Sequence, residues 1–301
     1  MNGAWGKSEL TEAERLVDLR LPPVTSVISL ATMLGVNPGI LWSIRSRQHR
    51  YYRSFDIPKG TGVRRINAPR VVLKVIQKWL SVQLQRAFVA PDHVYGFVAG
   101  RSHVAAATVH CGAHWVLSMD IADFFPSTKE EQVLQAYQAL GYSESSSALL
   151  SDLSCFRGGL AQGAPTSPVL SNICMASVDK SLAELAFARR LRLTRYADDI
   201  VLSGIGEPSA DLETKVRDIL AQTSWKVSQD KVSLDVVPAR LKVHGLLVHG
   251  DIARLTKGYR NRIRAYEHLM NRSGICQEDL STIRGHIEFG RFVGQLGKAT
   301  R

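Results

Sequence analysis

Between His114 and Ile121 the apolar residues Trp115, Leu117, Met119 and Ile121 alternate with Val116, Ser118 and Asp120. A two-residue period gives one continuous apolar face only in a β-strand. The pattern therefore demands a sheet, and it puts Asp120 near the carboxyl end of a strand on the face opposite the apolar stripe. Two further strand-like runs, Leu191–Tyr196 and Ile200–Leu202, flank Ala197-Asp198-Asp199, so two adjacent carboxylates sit at a hairpin tip. An Asp-Asp pair also suits an ordinary turn. Adjacent like charges, however, destabilise each other unless a cation compensates them. Magnesium takes oxygen ligands and uses one or two carboxylates together with substrate phosphates. Two such ions roughly 3.5–4 Å apart would activate an attacking hydroxyl and stabilise a leaving pyrophosphate.

The elements around this centre are mixed. The segment through about Arg47 reads as helical, with Val27, Ile28, Leu30 and Leu34 preceding an Asn-Pro-Gly break at 37–39. A strand, a glycine-rich turn at 59–62 and a strand from Val63 to Ile66 follow, and Pro69 then precedes a helix carrying Leu73, Ile76, Gln77 and Leu80. Ser127 and Glu130 have capping-box spacing, predicting a helix through about Leu140. The serines at 143–147 read as a loop or helix start. A helix on Leu212, Val216, Ile219 and Leu220 leads to strands over Val232–Val237 and Val243–Val248. The last segment, Tyr259–Met270, places Lys257, Arg260 and Arg264 on one helical face and Ile263, Tyr266 and Met270 roughly opposite.

Charge narrows the partners. The 301 residues carry 38 Lys and Arg against 27 Asp and Glu, a net +11, which favours nucleic acid or anionic lipid. Between Trp42 and Arg86 eleven basic residues stand against Asp56 alone, and from Ala253 to Arg301 ten stand against four acidic ones. The centre of the chain is therefore net acidic between basic flanks. Such a layout fits a metal-dependent enzyme acting on a phosphate polymer, with surface solvation as the plainer reading. No apolar run approaches the roughly 20 residues of a membrane span, and MNGAWGKSEL lacks a signal-peptide layout. The expected setting is the cytoplasm, with no membrane partner. Cys111, Cys155, Cys174 and Cys276 form no CxxC pair and read as reduced, buried thiols.

Four stretches, in order, resemble the reverse transcriptases. Tyr196-Ala-Asp-Asp199 is similar to the YxDD box, and Met119-Asp-Ile-Ala-Asp-Phe-Phe-Pro-Ser127 to the first catalytic strand. The run from Gly159 to Asn172 resembles the QGxxxSP box, and Tyr52–Lys59 with Arg64, Ile66 and Pro69 resembles the fingers motifs. Within that family Ile57-Pro-Lys59, Gly96-Phe-Val-Ala-Gly-Arg-Ser102 and the DFFPS ending resemble the bacterial retron enzymes. Two departures stand out. Ala106-Ala-Thr-Val-His110 keeps the histidine of an NAxxH motif but lacks its asparagine, and Val243-His-Gly245 stands where the VTG triplet would be. Both motifs are associated with handling the retron's own RNA, so a divergent retron and a related defence-associated enzyme both fit.

The resemblance implies an α+β right-hand polymerase. Residues 1–48 would be an N-terminal helical segment, 49–240 the fingers and the palm, an antiparallel sheet with helices on one face, and 241–301 the end of the palm and a short helical thumb. Asp120, Asp198 and Asp199, with the Ile121 carbonyl, would hold two Mg²⁺ ions. Lys59 and Arg64 would clamp the incoming dNTP, Gln162 and Gly163 would line its pocket, and Phe125 would act as the steric gate against a ribose 2′-hydroxyl. Lys231 would protonate the leaving pyrophosphate. Arg101, His110, Lys257, Arg260 and Arg264 would meet nucleic acid, although His110 also suits a structural role. His244 would face either RNA or the palm interior.

The implied activity is reverse transcription of a cognate structured non-coding RNA, serving as template and primer, into single-stranded DNA joined as an RNA–DNA hybrid. A role in antiphage defence with a separate effector or toxin protein goes with it. Two other readings remain: a non-retron defence-associated or group II intron-like reverse transcriptase, and an RNA-binding scaffold that restrains a toxin.

Overall fold

The computed structural model describes residues 6–60, 62–270 and 277–299. Three helices open the chain: α1 (Lys7–Asp18), α2 (Val27–Leu34) and α3 (Pro38–Ser46). Ser26 caps α2 by accepting from the Ser29 N–H, and Gly35 ends it in the left-handed region (φ 64°). The Asn-Pro-Gly break is the start of α3, where Asn37 accepts from the Gly39 N–H and proline occupies the first turn. The hairpin β1 (Tyr52–Lys59) and β2 (Gly62–Pro69) then leads into α4 (Val71–Ala87).

The chain continues through α5 (His103–Val109), β3 (Trp115–Ile121), the single turn α6 (Phe124–Ser127), α7 (Glu130–Leu140) and α8 (Glu144–Ser154). The short strands β4 (Cys155–Phe156) and β5 (Gly159–Leu160) precede α9 (Ser167–Cys174) and α10 (Ala176–Ala188). Next come β6 (Arg192–Tyr196), β7 (Asp199–Gly204), α11 (Leu212–Ala221), β8 (Val227–Val236), β9 (Lys242–Val243), β10 (Leu246–Leu247) and β11 (Arg254–Leu255). Helices α12 (Lys257–Met270) and α13 (Gln277–Ala299) follow. None of the described helices is long and apolar enough to cross a membrane.

Two compact units share these elements. The first consists of Met1–Pro91, Ala122–Asp179 and Leu220–Lys226. Its core joins Leu16, Leu30, Leu41, Leu73, Leu80, Tyr137, Leu150 and Leu170, all fully or almost fully buried. Burial of each such aliphatic side chain contributes about 1.5–3 kcal/mol. The second unit consists of Asp92–Ile121, Lys180–Ile219 and Val227–Arg301. It holds a four-stranded antiparallel sheet in the order β6-β7-β3-β8. Val116 and Val201 belong to a core that also takes in Leu241, Val243, Leu246 and Val293.

Three local expectations need correction. Ser127 does not cap α7, because its hydroxyl donates back to the carbonyls of Ala122, Asp123 and Phe124. Lys129 is the cap residue instead, and its N–H donates to Gln132 Oε1 at 2.9 Å. Val243–Val248 is not one strand. His244 (φ 49°) and Gly245 (φ 81°) both adopt the left-handed region, and with Val243 paired to Leu246 they form a two-residue hairpin turn. Finally, β8 begins at Val227, so Lys231 lies within a strand beside β3. Cys111, Cys155 and Cys174 are free thiols, with Cys155 buried and the other two partly so. Cys276 lies outside the described residues.

Candidate active site

In the second unit Tyr196 pairs with Asp199 across β6 and β7, leaving Ala197 and Asp198 as the two residues of the turn. Ala197 adopts φ 58°, a region glycine usually fills. Two features that local sequence reasoning missed hold it there. Arg195 is fully buried, and its Nη1 donates to the Ala197 carbonyl at 2.9 Å. The segment before Gly96 runs alongside: the Arg195 N–H donates to His93 O, and the Tyr95 N–H donates to Arg195 O, both at 2.8 Å. Arg195 looks like one more surface base in sequence, and no local period reveals that it is inside.

The hairpin sets its carboxylates against β3. Asp120 is the direct cross-strand partner of Asp199, and the Ile121 N–H donates to the Asp198 carbonyl at 2.8 Å. Lys231 Nζ donates to Asp120 Oδ1 at 2.5 Å, and His244 Nδ1 lies 3.2 Å from Asp199 Oδ2. Burial, followed by the Asp120 charge, pushes the Asp198 carboxyl above the usual carboxylate range. Among the described residues no three His, Cys, Asp or Glu side chains come together as a group that could hold a metal ion; Asp120 turns to Lys231 and Asp199 to His244. The donors are nonetheless all oxygens, and the strain on Asp198 is what a divalent cation would relieve. One or two of these carboxylates suffice for Mg²⁺, which completes its shell with water and phosphate rather than with protein.

In the first unit the β1–β2 register pairs Lys59 with Gly62 and Ile57 with Arg64. Lys59 and Arg64 therefore share one face of the hairpin. The other face carries Asp56 opposite Arg65, joined at 3.1 Å, so Arg65 is occupied while Lys59 and Arg64 face away from that carboxylate. The Asn67 N–H donates to the Gln162 carbonyl at 2.8 Å, tying the glutamine loop to the end of β2. Gly163 (φ 121°) passes so close to β2 that a Cβ would lie 3.1 Å from Ile66 Cγ2 and 3.2 Å from Asn67 O. Phe125 is partly buried, packed against the first unit's core with its ring 5.5 Å from that of Phe124.

The residues expected to meet nucleic acid divide. His110 is fully buried, with Nδ1 2.7 Å from Ser203 Oγ and Nε2 2.8 Å from Thr194 Oγ1. It clamps α5 to β6 and β7, the structural role that was the other expectation for it. Arg101 is held by its own loop, donating to the Val94 carbonyl, pairing with Asp92 and lying over the Tyr95 ring. His244 faces the interior of the second unit, with only 8 % of its side chain exposed. Lys257, Arg260 and Arg264 are exposed on α12 as expected. Arg260 and Arg264 edge a groove of about 520 Å³ whose apolar lining includes Ile263, Ile287 and Val293. The two helices meet closely at Gly290, where a Cβ would come 2.4 Å from Ile263 Cδ1.

Comparison with known proteins agrees with this geometry. Residues 57–246 match the family described as reverse transcriptase (RNA-dependent DNA polymerase). The Retron Mx65 reverse transcriptase of Myxococcus xanthus is 32% identical over 306 residues, spanning 93% of this chain and 70% of that protein. The Retron Ec86 reverse transcriptase of Escherichia coli is 27% identical over 291 residues, spanning 94% and 89%. Among solved structures, an apo telomerase from Candida tropicalis truncated from its C-terminal domain superposes with a TM-score of 0.50 at 11% identity. That match covers 73% of this chain and 61% of the telomerase, a likeness of fold alone.

Proposed function

Since the chain belongs to the reverse transcriptases, and among them to the retron RNA-directed DNA polymerases, we propose that it copies a structured RNA of its own by two-metal nucleotidyl transfer. The RNA serves as both template and primer, and the product is a single-stranded DNA held in an RNA–DNA hybrid. The observation that carries this reading is the placement of Asp120 and Asp199 as direct partners, with Asp198 beside them on the turn.

Asp120, Asp198 and Asp199, with the Ile121 carbonyl, would hold the two Mg²⁺ ions, whose chemistry when bound would be to activate the attacking hydroxyl and stabilise the leaving pyrophosphate. Everything else falls to the chain's own groups. Lys59 acts on the triphosphate as a point charge and Arg64 as a bidentate fork. Gln162 and Gly163 receive the nucleotide, the glycine letting backbone approach it. Phe125 excludes a 2′-hydroxyl. Lys231, whose ammonium rests on Asp120, is the proton source for the pyrophosphate oxygen. Lys257, Arg260 and Arg264 follow the duplex backbone, reading A-form shape rather than bases.

The cellular part of the proposal is a cytoplasmic role in antiphage defence beside a separate effector protein. The test of the chemistry is labelled dNTP incorporation by the purified protein with its cognate RNA and Mg²⁺. Incorporation should need RNA and should vanish in the double variant Asp198→Asn, Asp199→Asn. Undiminished incorporation by that variant would overturn the mechanism.

A further inference from the structure

His244 is costly to keep where it stands. It adopts φ 49°, a left-handed conformation that costs a residue bearing a Cβ conformational energy. Its side chain is almost wholly shielded, its Nε2 is buried with no hydrogen-bond partner among the described residues, and Tyr196 covers it at 5.3 Å between ring centroids. The hairpin that carries it is anchored on both sides, because Val243 and Leu246 are core residues of the second unit. Among the described residues the ring's one polar contact is Nδ1 at 3.2 Å from Asp199 Oδ2. A ring N–H at that position attracts the carboxylate oxygen of Asp199, where a bare nitrogen lone pair would repel it.

We propose that His244 is a positioning residue for Asp199: it holds Oδ2 of that carboxylate and so fixes the direction in which the other oxygen is offered to a divalent cation. The assignment rests on the reading of Asp199 as a metal ligand. Groups that orient ligating carboxylates commonly govern metal affinity by 10–100-fold when removed. The asymmetry in the site follows from the same geometry. Lys231 holds Asp120, His244 holds Asp199, and Asp198 on the turn is left to take up the charge strain.

The probe is Mn²⁺ alone, its binding to the full chain followed by electron paramagnetic resonance. His244→Leu should weaken Mn²⁺ binding about ten-fold. His244→Asn, which tolerates the left-handed turn and keeps an N–H near the Nδ1 position, should stay within about three-fold of wild type on the same reasoning. Equal affinities for the leucine variant and wild type, or equal losses in both variants, would defeat the proposal. Asp199→Asn separates the two levels. If it too binds Mn²⁺ as wild type does, the metal reading of the site falls; if it alone loses binding, only the role of His244 falls. Should His244→Leu not fold, the ¹⁵N signal of His244 Nδ1 decides instead. It should shift between wild type and Asp199→Asn, and an unmoved signal would show that the contact is absent.

Discussion

Gly96 lies so near Ala197 that a Cβ built on it would fall 2.1 Å from the Ala197 amide nitrogen. The atom in the way is backbone, so no rotamer change relieves the clash. Gly96→Ala must push the turn bearing Asp198 and Asp199 away from its position. Overpacking of this kind costs about 1–3 kcal/mol, and a displacement of about 1 Å at a reacting centre costs on the order of 100-fold in rate. The expected outcome is a folded protein with a melting temperature a few degrees lower and dNTP incorporation reduced about 100-fold. A variant with wild-type incorporation would show that the turn does not need its neighbour.

Asp198 carries a pH signature of the opposite sign to a salt-bridged carboxylate. Its folded-state pKa is raised, first by burial and then by Asp120, so the ionised form weakens the fold. That penalty is fully present above the folded pKa and disappears as pH falls toward the unfolded value. Asp198→Asn should therefore abolish incorporation yet raise thermal stability at pH 7–8, with the gain fading as the solution is acidified. Mg²⁺ should stabilise wild type more than the variant. Melting curves across pH, with and without Mg²⁺, measure both effects.

His110 titrates in a different window. Burial, reinforced by the nearby His244 and Arg192, lowers its pKa to about 3, so the folded state keeps the ring neutral while the unfolded chain protonates it near its ordinary value. Stability is then lost as pH falls below that ordinary value, by about 2 kcal/mol between pH 7 and pH 5 at 1.36 kcal/mol per unit. Urea unfolding of wild type and His110→Leu should show this slope in the first and its absence in the second. The leucine variant should also be less stable at pH 7, because the Ser203 and Thr194 hydroxyls lose their partner.

The two faces of the β1–β2 hairpin make a paired test. Lys59→Ala and Arg64→Ala should each raise the KM for dNTP about ten-fold or more, the usual worth of one charge-assisted hydrogen bond. Arg65→Ala should leave it within about two-fold, because that side chain is exposed and already paired with Asp56. Equal effects from Arg64 and Arg65 would contradict the division of faces.

Phe125→Ala should admit ribonucleotides. Competition between rNTP and dNTP in primer extension measures it. A loss of stability without a change in sugar preference would leave Phe125 as a core residue only.

The legible parts of this molecule were those with a local signal. The alternation in Trp115–Ile121 gave β3 and the face of Asp120, and the flanking runs gave the Asp198–Asp199 hairpin. The glycine-rich turn gave β1 and β2, and the spacing of Ile263, Tyr266 and Met270 gave the inner face of α12. What stayed hidden was long-range. Nothing near Arg195 in sequence says that it will be buried under Ala197, and nothing near Gly96 says which backbone will pass it. The roles of His110 and His244 depended on partners many residues away. Ser127 offered a local signal that its own backward hydrogen bonds overrode.

Each compact unit is assembled from three separated stretches of chain. The first unit's core reaches from Leu16 to Ile173, and its last stretch, Leu220–Lys226, arrives only after the whole Asp198–Asp199 hairpin has been made. On a ribosome adding roughly 5–20 residues per second, neither core can close while the chain is short. The nascent protein must therefore carry its basic β1–β2 hairpin, with Lys59 and Arg64, for several seconds before the carboxylates of the second unit have a sheet to stand on. The first unit's core residues are all made by Ile173, whereas the second unit's core takes in Val293, so the carboxylates reach their final setting only near the end of synthesis.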